Sequence, residues 1–578
     1  MAASQRVTGN KEKCFNRGFM IFIQAKGKYQ NRFRQIASGI LVAAALTACE
    51  SMSEIGDDFA EMSRGLVQYE ENMERKGFVG GIAADEPQAA LAGREALDVG
   101  GNAFDAATAI YFNLAVTMPS SASIGGGGVC LTYDASSNTT RALDFLSRTP
   151  GSSARASLRP TGVPGNVLGF QMMHAAYGRL PWSQLVAPAE GKARFGSKVS
   201  RAFDADLKTM GAALLGETGS RRVFSGPNGL IREGEKWLQP ALANILGDIR
   251  ANGSAALYKG VAADRFAAQV TAAGGSLMAS DLKGYRPVWR ETIELPLGDI
   301  SVHFAPPTAA AGTVAAEIWA MMNDDKRYRD ADPEERPHLF VEAATRAYAD
   351  RAHWLNTDGT SSIKPFDLVA SSRIAKMMST YNSDTHTPIA SYNPMPVEVV
   401  QDPAATTFVV MDRSGSAVSC ALTMNGLFGS GIVTSDSGVL LASVPGSGGR
   451  GPLSLGPILA TDHFTRDFFF AGAASGGVTA ATSLISVIIK NLVDIEDLEK
   501  AMARKRLHHS GAPDLVYYEQ GYDEAGLQSL LKRGHRIAAT PSIGRVNAVG
   551  CTQGLPYDPL SCQAVTDPRG SGLGTKLD

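Results

Sequence analysis

The chain has 578 residues, and its 55 Lys and Arg residues nearly balance its 57 Asp and Glu residues. This near-neutral charge, without a basic run, argues against nucleic acid as the main partner, because nucleic-acid-binding surfaces concentrate positive charge. Apolar residues make up 44% of the sequence and charged residues 19%, as is typical of a soluble globular protein with a large core. The length allows one large domain or two to three ordinary ones.

The first 48 residues are typical of a secretion signal. Arg32 and Arg34 precede an apolar run, residues 36–46, that is too short for a usual transmembrane helix. Small residues then lead to Cys49, and this ending resembles the lipobox of bacterial lipoproteins. We therefore expect residues 1–48 to be a lipoprotein signal peptide and Cys49 to anchor a periplasmic protein to a membrane surface. The alternative is an ordinary signal peptide with a chance cysteine.

Residues 49–76 are acidic and lack a strong period, so we expect a tether or a short helix there. The body of the protein follows with a predicted strand over 79–84 and predicted helices over 87–97 and 103–116. The glycine run at 125–128 leads into a strand and lacks the Lys-Ser/Thr of a phosphate-binding loop. We therefore expect close backbone packing at this run, not phosphate binding.

The later part of the chain alternates short apolar strands with helical runs, which predicts an α/β or α+β fold. Helices are expected over 481–490 and 495–506. Residues 379–404 are polar and marked by prolines, which suits an exposed linker where the chain could be cleaved.

The segment that follows this linker organises the rest of the sequence. Asp402-Pro403 is a turn signal, and the β-forming residues 406–411 predict a strand. Residues 412–415 predict a tight turn, and residues 417–424 a second strand. A Thr at the start of such a strand is by itself an ordinary β-forming residue.

The motifs of this segment resemble the start of the small subunit of γ-glutamyltransferases. They are D-x-x-G-x-A-V-S from Asp412, then T-x-N, then F-G-x-G-I. Further matches occur in order along the chain, at Gly100–Ala107, Val163–Gly165, Phe304–Thr308, Ala347–Arg351, Gly476-Gly477, Arg506–His509 and Thr566–Gly570. The resemblance spans about residues 77–574, and no internal repeat is visible.

The resemblance implies a helix over residues 342–355, an overall fold and a processing step. Members of this family are N-terminal-nucleophile hydrolases with an α+β fold, a four-layer αββα sandwich. Their precursor cuts itself before a Thr, and the two fragments stay associated. This implies a large-subunit region, residues 77–405, and a small-subunit region, residues 406–578, that together form one domain.

Self-cleavage before a Thr has a chemical purpose. A Thr hydroxyl is a poor nucleophile and needs a nearby base. A free α-amino group, whose ordinary pKa is about 8, supplies that base on the same residue. Backbone N–H groups of glycines can then approach and stabilise the oxyanion that forms, because no side chain blocks them.

By resemblance, Thr406 is the nucleophile and Thr423 is the second Thr that hydrogen-bonds it. Gly476 and Gly477 match the oxyanion donors, and Asn425 matches a residue that helps to hold the glutamyl group. Judged by residue type alone, Asn425 is typical of a turn at the end of a strand, and the two glycines are typical of a tight turn.

The nucleophile position departs from the family pattern. That pattern places the first Thr seven residues before the Asp, and counting back from Asp412 reaches Ala405. Either the strand has lost one residue and Thr406 is the nucleophile, or Ala405 occupies the position and the site is inactive. A one-residue change reverses the face of every side chain unless a bulge absorbs it. We favour Thr406, because the tandem Thr after the proline-marked loop is retained.

The substrate pocket also departs from the family. The segment that matches the family's D-F-R-E has Leu146 where the family has the Arg that holds the glutamate carboxylate. We hypothesise that Arg148, two residues further on, reaches the same place. The family's adjacent Ser pair appears as Leu453-Ser454, which leaves Ser454 as a substrate-binding candidate. Val444 replaces a residue that holds the α-amino group, and a buried amino-acid head group needs such paired charges.

The expected function is therefore hydrolysis and transfer of the γ-glutamyl group of glutathione or related small amides. The alternatives are an acylase for a different amide and a non-catalytic lipoprotein that keeps the fold. No cofactor or metal is expected, because the nine His residues form no H-E-x-x-H cluster and the adjacent His508 and His509 point apart. Cys551 and Cys562 could form a local disulfide or remain buried thiols.

Overall fold

The structure is a computed structural model that describes residues 77–151, 159–356, 358–392, 404–446 and 454–578. All of them belong to one unit of the chain, residues 71–578. The expected signal peptide, Cys49 and the tether lie outside the described residues. Among the helices that the structure describes, none combines the length and the apolar character that crossing a membrane requires.

Within the described residues, thirteen of the twenty β-strands form two large sheets, and the others form three small ones. The described strands are β1 Gly80–Ala84, β2 Gly127–Asp134, β3 Thr139–Asp144, β4 Ser197–Lys198, β5 Ser225–Gly226, β6 Gly229–Leu230, β7 Lys236–Trp237, β8 Val288–Arg290, β9 Ile293–Leu297, β10 Ile300–Phe304, β11 Ala405–Asp412, β12 Ala417–Thr423, β13 Ile458–Asp462, β14 Phe468–Ser475, β15 Leu507–His508, β16 Val516–Glu519, β17 Ile537–Thr540, β18 Arg545–Leu555, β19 Cys562–Thr566 and β20 Leu573–Leu577. The first large sheet has the order β20-β1-β11-β12-β2-β3-β8, and the second has the order β19-β18-β14-β13-β10-β9. Strands from both sides of residue 405 are therefore neighbours in the first sheet.

Helices cover the outer faces of the two sheets. The described α-helices are α1 Pro87–Asp98, α2 Ala103–Thr117, α3 Pro119–Ala122, α4 Asn166–Tyr177, α5 Trp182–Phe195, α6 Arg201–Met210, α7 Thr218–Phe224, α8 Pro240–Asn252, α9 Ala255–Tyr258, α10 Gly260–Ala272, α11 Ala279–Gly284, α12 Ala310–Asn323, α13 Arg327–Asp330, α14 Arg336–Trp354, α15 Pro365–Leu368, α16 Ser371–Met378, α17 Ala480–Ile488, α18 Leu498–Ala503 and α19 Glu524–Lys532. One apolar core lies between the first sheet and helices such as α1, α2 and α5. A second lies between the second sheet and helices such as α12, α14 and α17.

A third apolar core lies between the two sheets, where small and aliphatic side chains of β11 and β12 meet those of β14 and β18. The molecule is thus a four-layer αββα sandwich, and the predicted α+β fold is confirmed. Two stacked sheets leave a narrow inner layer, which is why alanines and glycines are frequent on the inner faces.

The direction of each side chain on β11 is set by the alternation of the strand. Phe408 and Val410 pack with the helices on the outer face of the first sheet. Val409 and Met411 pack between the two sheets. Because successive side chains of a strand point to opposite faces, Thr406 belongs to the helix-facing set and Ala405 to the set between the sheets.

Most predicted elements agree with the structure to within a few residues, and the differences have local causes. Helix α14 begins six residues before the predicted 342–355. Helix α17 continues as a π-helical turn over Ile489–Val493, so the helical pattern does not stop at 490. The helix predicted over 495–506 is short, because the Asp497 side chain caps its first turn and Arg504 leaves helical geometry.

Two disulfides join residues that face each other in neighbouring strands. Cys551 in β18 bonds to Cys562 in β19, which settles the open choice for that pair. Cys130 in β2 bonds to Cys420 in β12, a bridge that the sequence analysis missed. The second bridge connects residues on either side of the expected cleavage point, so two fragments would remain covalently joined.

Candidate active site

The glycine run before β2 is packed tightly against the segments that carry the candidate site. A Cβ atom on Gly127 would lie 2.1 Å from the backbone nitrogen of Ser147, and one on Gly126 would lie 2.8 Å from the carbonyl oxygen of Thr423. Such distances leave no room for a side chain. The run therefore holds Ser147 and Thr423 close together, as the expectation of close backbone packing required.

Asn425 connects the T-x-N motif to the segment that replaces the family's D-F-R-E. Its backbone N–H donates to Thr423 Oγ1 at 2.9 Å. Its side-chain amide donates to Ser147 Oγ at 2.7 Å and to the Ser443 carbonyl at 2.9 Å. The residue is buried and has a φ of +58°, a conformation that Asn tolerates better than most residues. Its side chain is therefore held in one orientation by the protein itself.

The hydroxyl of Thr423 lies at the peptide bond between residues 404 and 405. Thr423 Oγ1 donates to the Ala404 carbonyl oxygen at 2.9 Å. In the register of β11 and β12, Thr423 pairs directly with Ala405. The residue opposite Thr423 in the intact chain is therefore an alanine, which has no hydroxyl to act as a nucleophile.

The two threonines that follow point in different directions. The hydroxyl of Thr406 is fully buried, donates to Asp85 Oδ2 at 3.2 Å and contacts Met118 on the helix side. Thr407 Oγ1 accepts from Asn547 Nδ2 of the second sheet at 2.7 Å. The structure thus brings Thr423 together with Ala405 and places Thr406 on the opposite face. The role of Thr406 as nucleophile stays a prediction.

Gly476 and Gly477 follow directly after β14, the strand that packs against β11 and β12. Their φ angles are +127° and +64°. A Cβ atom on Gly476 would lie 2.8 Å from the Cα atom of Gly544, so glycine is required there. Ser475, the last residue of β14, has a buried hydroxyl without a hydrogen-bond partner in the described structure. The sequence analysis missed this hydroxyl, because a lone Ser at a strand end carries no motif.

Arg148 is held by a buried carboxylate that the sequence analysis did not connect to it. Asp144 Oδ2 lies 2.9 Å from Arg148 Nη2 and 2.8 Å from Arg290 Nη2, and it accepts from Thr308 at 3.0 Å. Burial raises the pKa of Asp144, but the two guanidinium groups outweigh burial and hold this pKa below its usual range. Two cations thus share one carboxylate. The remaining positive charge borders a cavity of about 430 Å³, which Arg148 and Tyr285 help to line.

The remaining predicted pocket residues lie at the edge of the described structure. Ser454 is half-buried and directly follows residues 447–453, which lie outside the described residues. Its neighbour Leu455 accepts a hydrogen bond from the Gly312 backbone. Val444 is half-buried at the end of the preceding segment. The described part of this loop therefore adds no charged partner for an amino-acid head group.

Comparison with known proteins covers almost all of the described structure. Residues 89–446 and 442–576 match the family described as gamma-glutamyltranspeptidase. The chain is 27% identical over 534 residues to a glutathione hydrolase proenzyme of Escherichia coli, covering 85% of this chain and 90% of the relative. It is 28% identical over 541 residues to one of Pseudomonas aeruginosa, covering 86% and 94%.

A solved structure agrees with the fold. The cephalosporin acylase from Bacillus halodurans superposes with a TM-score of 0.74 at 23% identity, covering 86% of this chain and 96% of the acylase. At this identity, the similarity supports the αββα architecture and carries no information on the substrate.

Proposed function

Because the chain belongs to the gamma-glutamyltranspeptidase family, we propose that it hydrolyses and transfers the γ-glutamyl group of glutathione and related small amides. The proposal rests on one group of contacts, formed by Thr423, Asn425 and Ser147 and called the site frame below. Thr423, Asn425 and Ser147 are joined by hydrogen bonds in a chain that matches this family over almost its whole described length. Curated relatives in this family are named glutathione hydrolases.

The proposed reaction uses the chain's own groups and needs no cofactor. After self-cleavage, the Thr hydroxyl attacks the γ-carbonyl carbon, and the freed α-amino group takes its proton. The N–H groups of Gly476 and Gly477 stabilise the oxyanion. The C–N bond then breaks, the amine leaves with the proton, and an ester remains. Water or a second amine attacks this ester and releases glutamate or a new γ-glutamyl amide.

Substrate recognition in this proposal depends on Asn425 and Arg148. The Asn425 amide already donates to two oxygens, so it is oriented before a substrate arrives. Arg148 contributes the positive charge left over at Asp144, which suits the carboxylate of a γ-glutamyl group.

A second candidate function is amide binding without turnover, and the pairing of Ala405 with Thr423 favours it. For Thr406 to act, the cut must fall before it and the freed strand end must rotate its hydroxyl toward Thr423. Strand β11 is in unbroken register with β12 from Ala405 to Met411 and with β1 from Phe408 to Asp412, so this change has to be confined to Thr406, the first residue of the small fragment.

Self-cleavage separates these two candidates. We expect the purified wild-type chain to give two fragments on denaturing electrophoresis, with the small fragment starting at Thr406. The gel has to be run with reductant, because the Cys130–Cys420 bridge would otherwise hold the fragments together. Thr406→Ala should abolish cleavage and hydrolysis of a γ-glutamyl chromogenic amide, whereas Thr406→Ser should retain part of both. A single reduced wild-type band would overturn the enzymatic proposal, and cleavage of Thr406→Ala would overturn the nucleophile assignment.

We also propose that Cys49 is lipidated and holds the protein at a periplasmic membrane surface. The support is the sequence pattern at residues 32–49, a positive flank, a short apolar run and small residues before the cysteine. We expect the wild-type protein to sediment with membranes and Cys49→Ala to appear in the soluble periplasmic fraction. Wild-type protein that is soluble after secretion would contradict the anchor.

A further inference from the structure

A second group of side chains that could bind a metal is buried among the elements that cover the outer face of the second sheet. None of its members belongs to the site frame. His338 and Glu342 lie on α14, and His535 follows α19. His338 and Glu342 are 0% exposed and His535 is 3% exposed. One possible ligand atom from each of the three residues lies within 4.8 Å of the others. This group, together with His386, is called the histidine cluster below.

The distances within the histidine cluster suit a tetrahedral metal site. His338 Nδ1 lies 2.7 Å from His535 Nε2, and His535 Nε2 lies 3.9 Å from Glu342 Oε1. His386 Nδ1 lies 3.0 Å from the same carboxylate oxygen. Zinc bonds of about 2.0–2.1 Å to N and O place tetrahedral ligand atoms about 3.3 Å apart. The three separations lie on both sides of that value. His338, Glu342 and His535 form the compact part of the cluster, and His386 reaches it through the Glu342 carboxylate, so His386 has to turn further than the others to become the fourth ligand.

The outer atoms of the same side chains are already held in place. His338 Nε2 contacts the Asn382 carbonyl oxygen at 2.8 Å, and His386 Nε2 lies 3.1 Å from Asp514 Oδ1. The other oxygen of Glu342 accepts from Arg346. Metal-binding His residues usually donate their second ring N–H to a carbonyl or carboxylate, and ligand carboxylates are themselves hydrogen-bonded. These contacts leave His338 Nδ1 facing His535 Nε2 and His386 Nδ1 facing the Glu342 carboxylate, so both inward nitrogen atoms point into the cluster.

We propose that His338, Glu342, His535 and His386 bind one Zn²⁺ ion in a closed, structural site. Three imidazoles and one carboxylate are ligands that zinc accepts, and a full set of four protein ligands leaves no open position for substrate. The site is independent of the proposed γ-glutamyl activity. The bound ion would connect three ligands that precede residue 405 to one that follows it. It would therefore stabilise the association of the large-subunit and small-subunit regions.

No metal was expected from the sequence, because it contains no H-E-x-x-H motif. The signal that was present is weaker: His338 and Glu342 are four residues apart on one helix and therefore share a face. The other ligands, His386 and His535, come from distant parts of the chain, and only the fold brings them together.

The test is metal content and a cobalt spectrum on the full-length protein. After removal of metal with a chelator, we expect one equivalent of Zn²⁺ to rebind and raise the melting temperature. Co²⁺ should give the visible absorption of tetrahedral coordination. His535→Gln should weaken Zn²⁺ binding at least about 100-fold, whereas His353→Gln, on the exposed end of α14, should bind as the wild type does.

A second variant keeps the proposal testable if His535→Gln does not fold. Asp514→Asn removes the carboxylate that faces His386 and that also contacts His509 and the Ile389 N–H, and we expect it to weaken Zn²⁺ binding about 10- to 100-fold. A folded wild-type protein that binds no stoichiometric Zn²⁺ and gives no tetrahedral Co²⁺ spectrum would overturn the proposal. The histidine cluster would then be a metal-free hydrogen-bonded network. None of these readouts depends on γ-glutamyl turnover.

Discussion

Ala405→Thr is expected to make the chain cut itself between residues 404 and 405 with high efficiency. The side chain of residue 405 lies between the sheets and pairs with Thr423. The Thr423 hydroxyl already donates to the Ala404 carbonyl, the acyl group of the bond that would break. A hydroxyl added at 405 would therefore start beside its own target carbonyl, which is the arrangement that lowers the entropic cost of attack.

The matched control is Ala405→Val, which has the same branched shape without the hydroxyl. Loss of a nucleophile lowers enzymatic rates by up to about 10⁶-fold, so at the bond between residues 404 and 405 we expect cleavage of the Thr variant to exceed that of the Val variant by roughly 10⁴-fold or more. Reducing electrophoresis measures the extent of cleavage, and N-terminal sequencing should find the small fragment starting at position 405. If the two variants were cleaved to the same extent between residues 404 and 405, the pairing with Thr423 would not define the nucleophile position.

The same experiment decides between the two candidate functions. A wild-type chain that cuts before Thr406 supports γ-glutamyl turnover with a displaced nucleophile. A wild-type chain that stays intact while Ala405→Thr cuts supports amide binding in a site whose nucleophile has been lost. In the second case, the variant should also gain hydrolysis of a γ-glutamyl chromogenic amide, because Asn425 and the glycine pair are already in place.

The fold was predictable where the pattern is local. Strands β11 and β12 and the turn between them agree with the predictions to within one residue, because β-forming residues flank an Asp-Arg-Ser-Gly turn. Helix α2 was also close to its predicted range, since Asn102 and Asp105 form a capping box at its start. Helix α18 was overestimated, because the Asp497 side chain caps its first turn, so that it begins at Leu498, and Arg504 leaves helical geometry.

The candidate site was predictable only in part, since its contacts join distant segments. The T-x-N motif identified Thr423 and Asn425, but the partner of Asn425 is Ser147, which is 278 residues away. Likewise, Asp144 recruits both Arg148 and Arg290 through the sheet. The face of Thr406 depends on strand register, and a single-residue ambiguity in the sequence cannot be resolved until β11 is seen against its neighbours.

Arg506→Met is expected to destabilise the protein strongly without touching the candidate site. Arg506 and Asp567 form a buried ion pair at 2.7 Å, with side chains 1% and 2% exposed. Removing one partner of a buried pair costs about 3–5 kcal/mol, because the remaining charge stays away from water. Arg569 also contacts Asp567, at 3.0 Å, so we expect a loss in the free energy of unfolding near the lower end, about 3 kcal/mol.

The control is Arg504→Met, which removes a half-exposed arginine that pairs with Glu496 and should change the free energy of unfolding by less than about 1 kcal/mol. The pH dependence gives a second check. Burial raises the pKa of Asp567, but Arg506 and Arg569 outweigh burial and hold it below its usual range. This carboxylate therefore contributes stability above its unfolded pKa of about 3.9, and the contribution is lost as the pH falls through the lower folded value.

In Arg506→Met the pKa of Asp567 in the folded state rises, so this carboxylate contributes less to the free energy of unfolding. Chemical denaturation should then find the largest difference between wild type and variant near neutral pH. The difference should narrow below about pH 4, where the unfolded carboxyl group takes up its proton. A difference in the free energy of unfolding that is equal at pH 7 and pH 3 would mean that lost packing of the Arg506 side chain, and not its charge, explains the destabilisation.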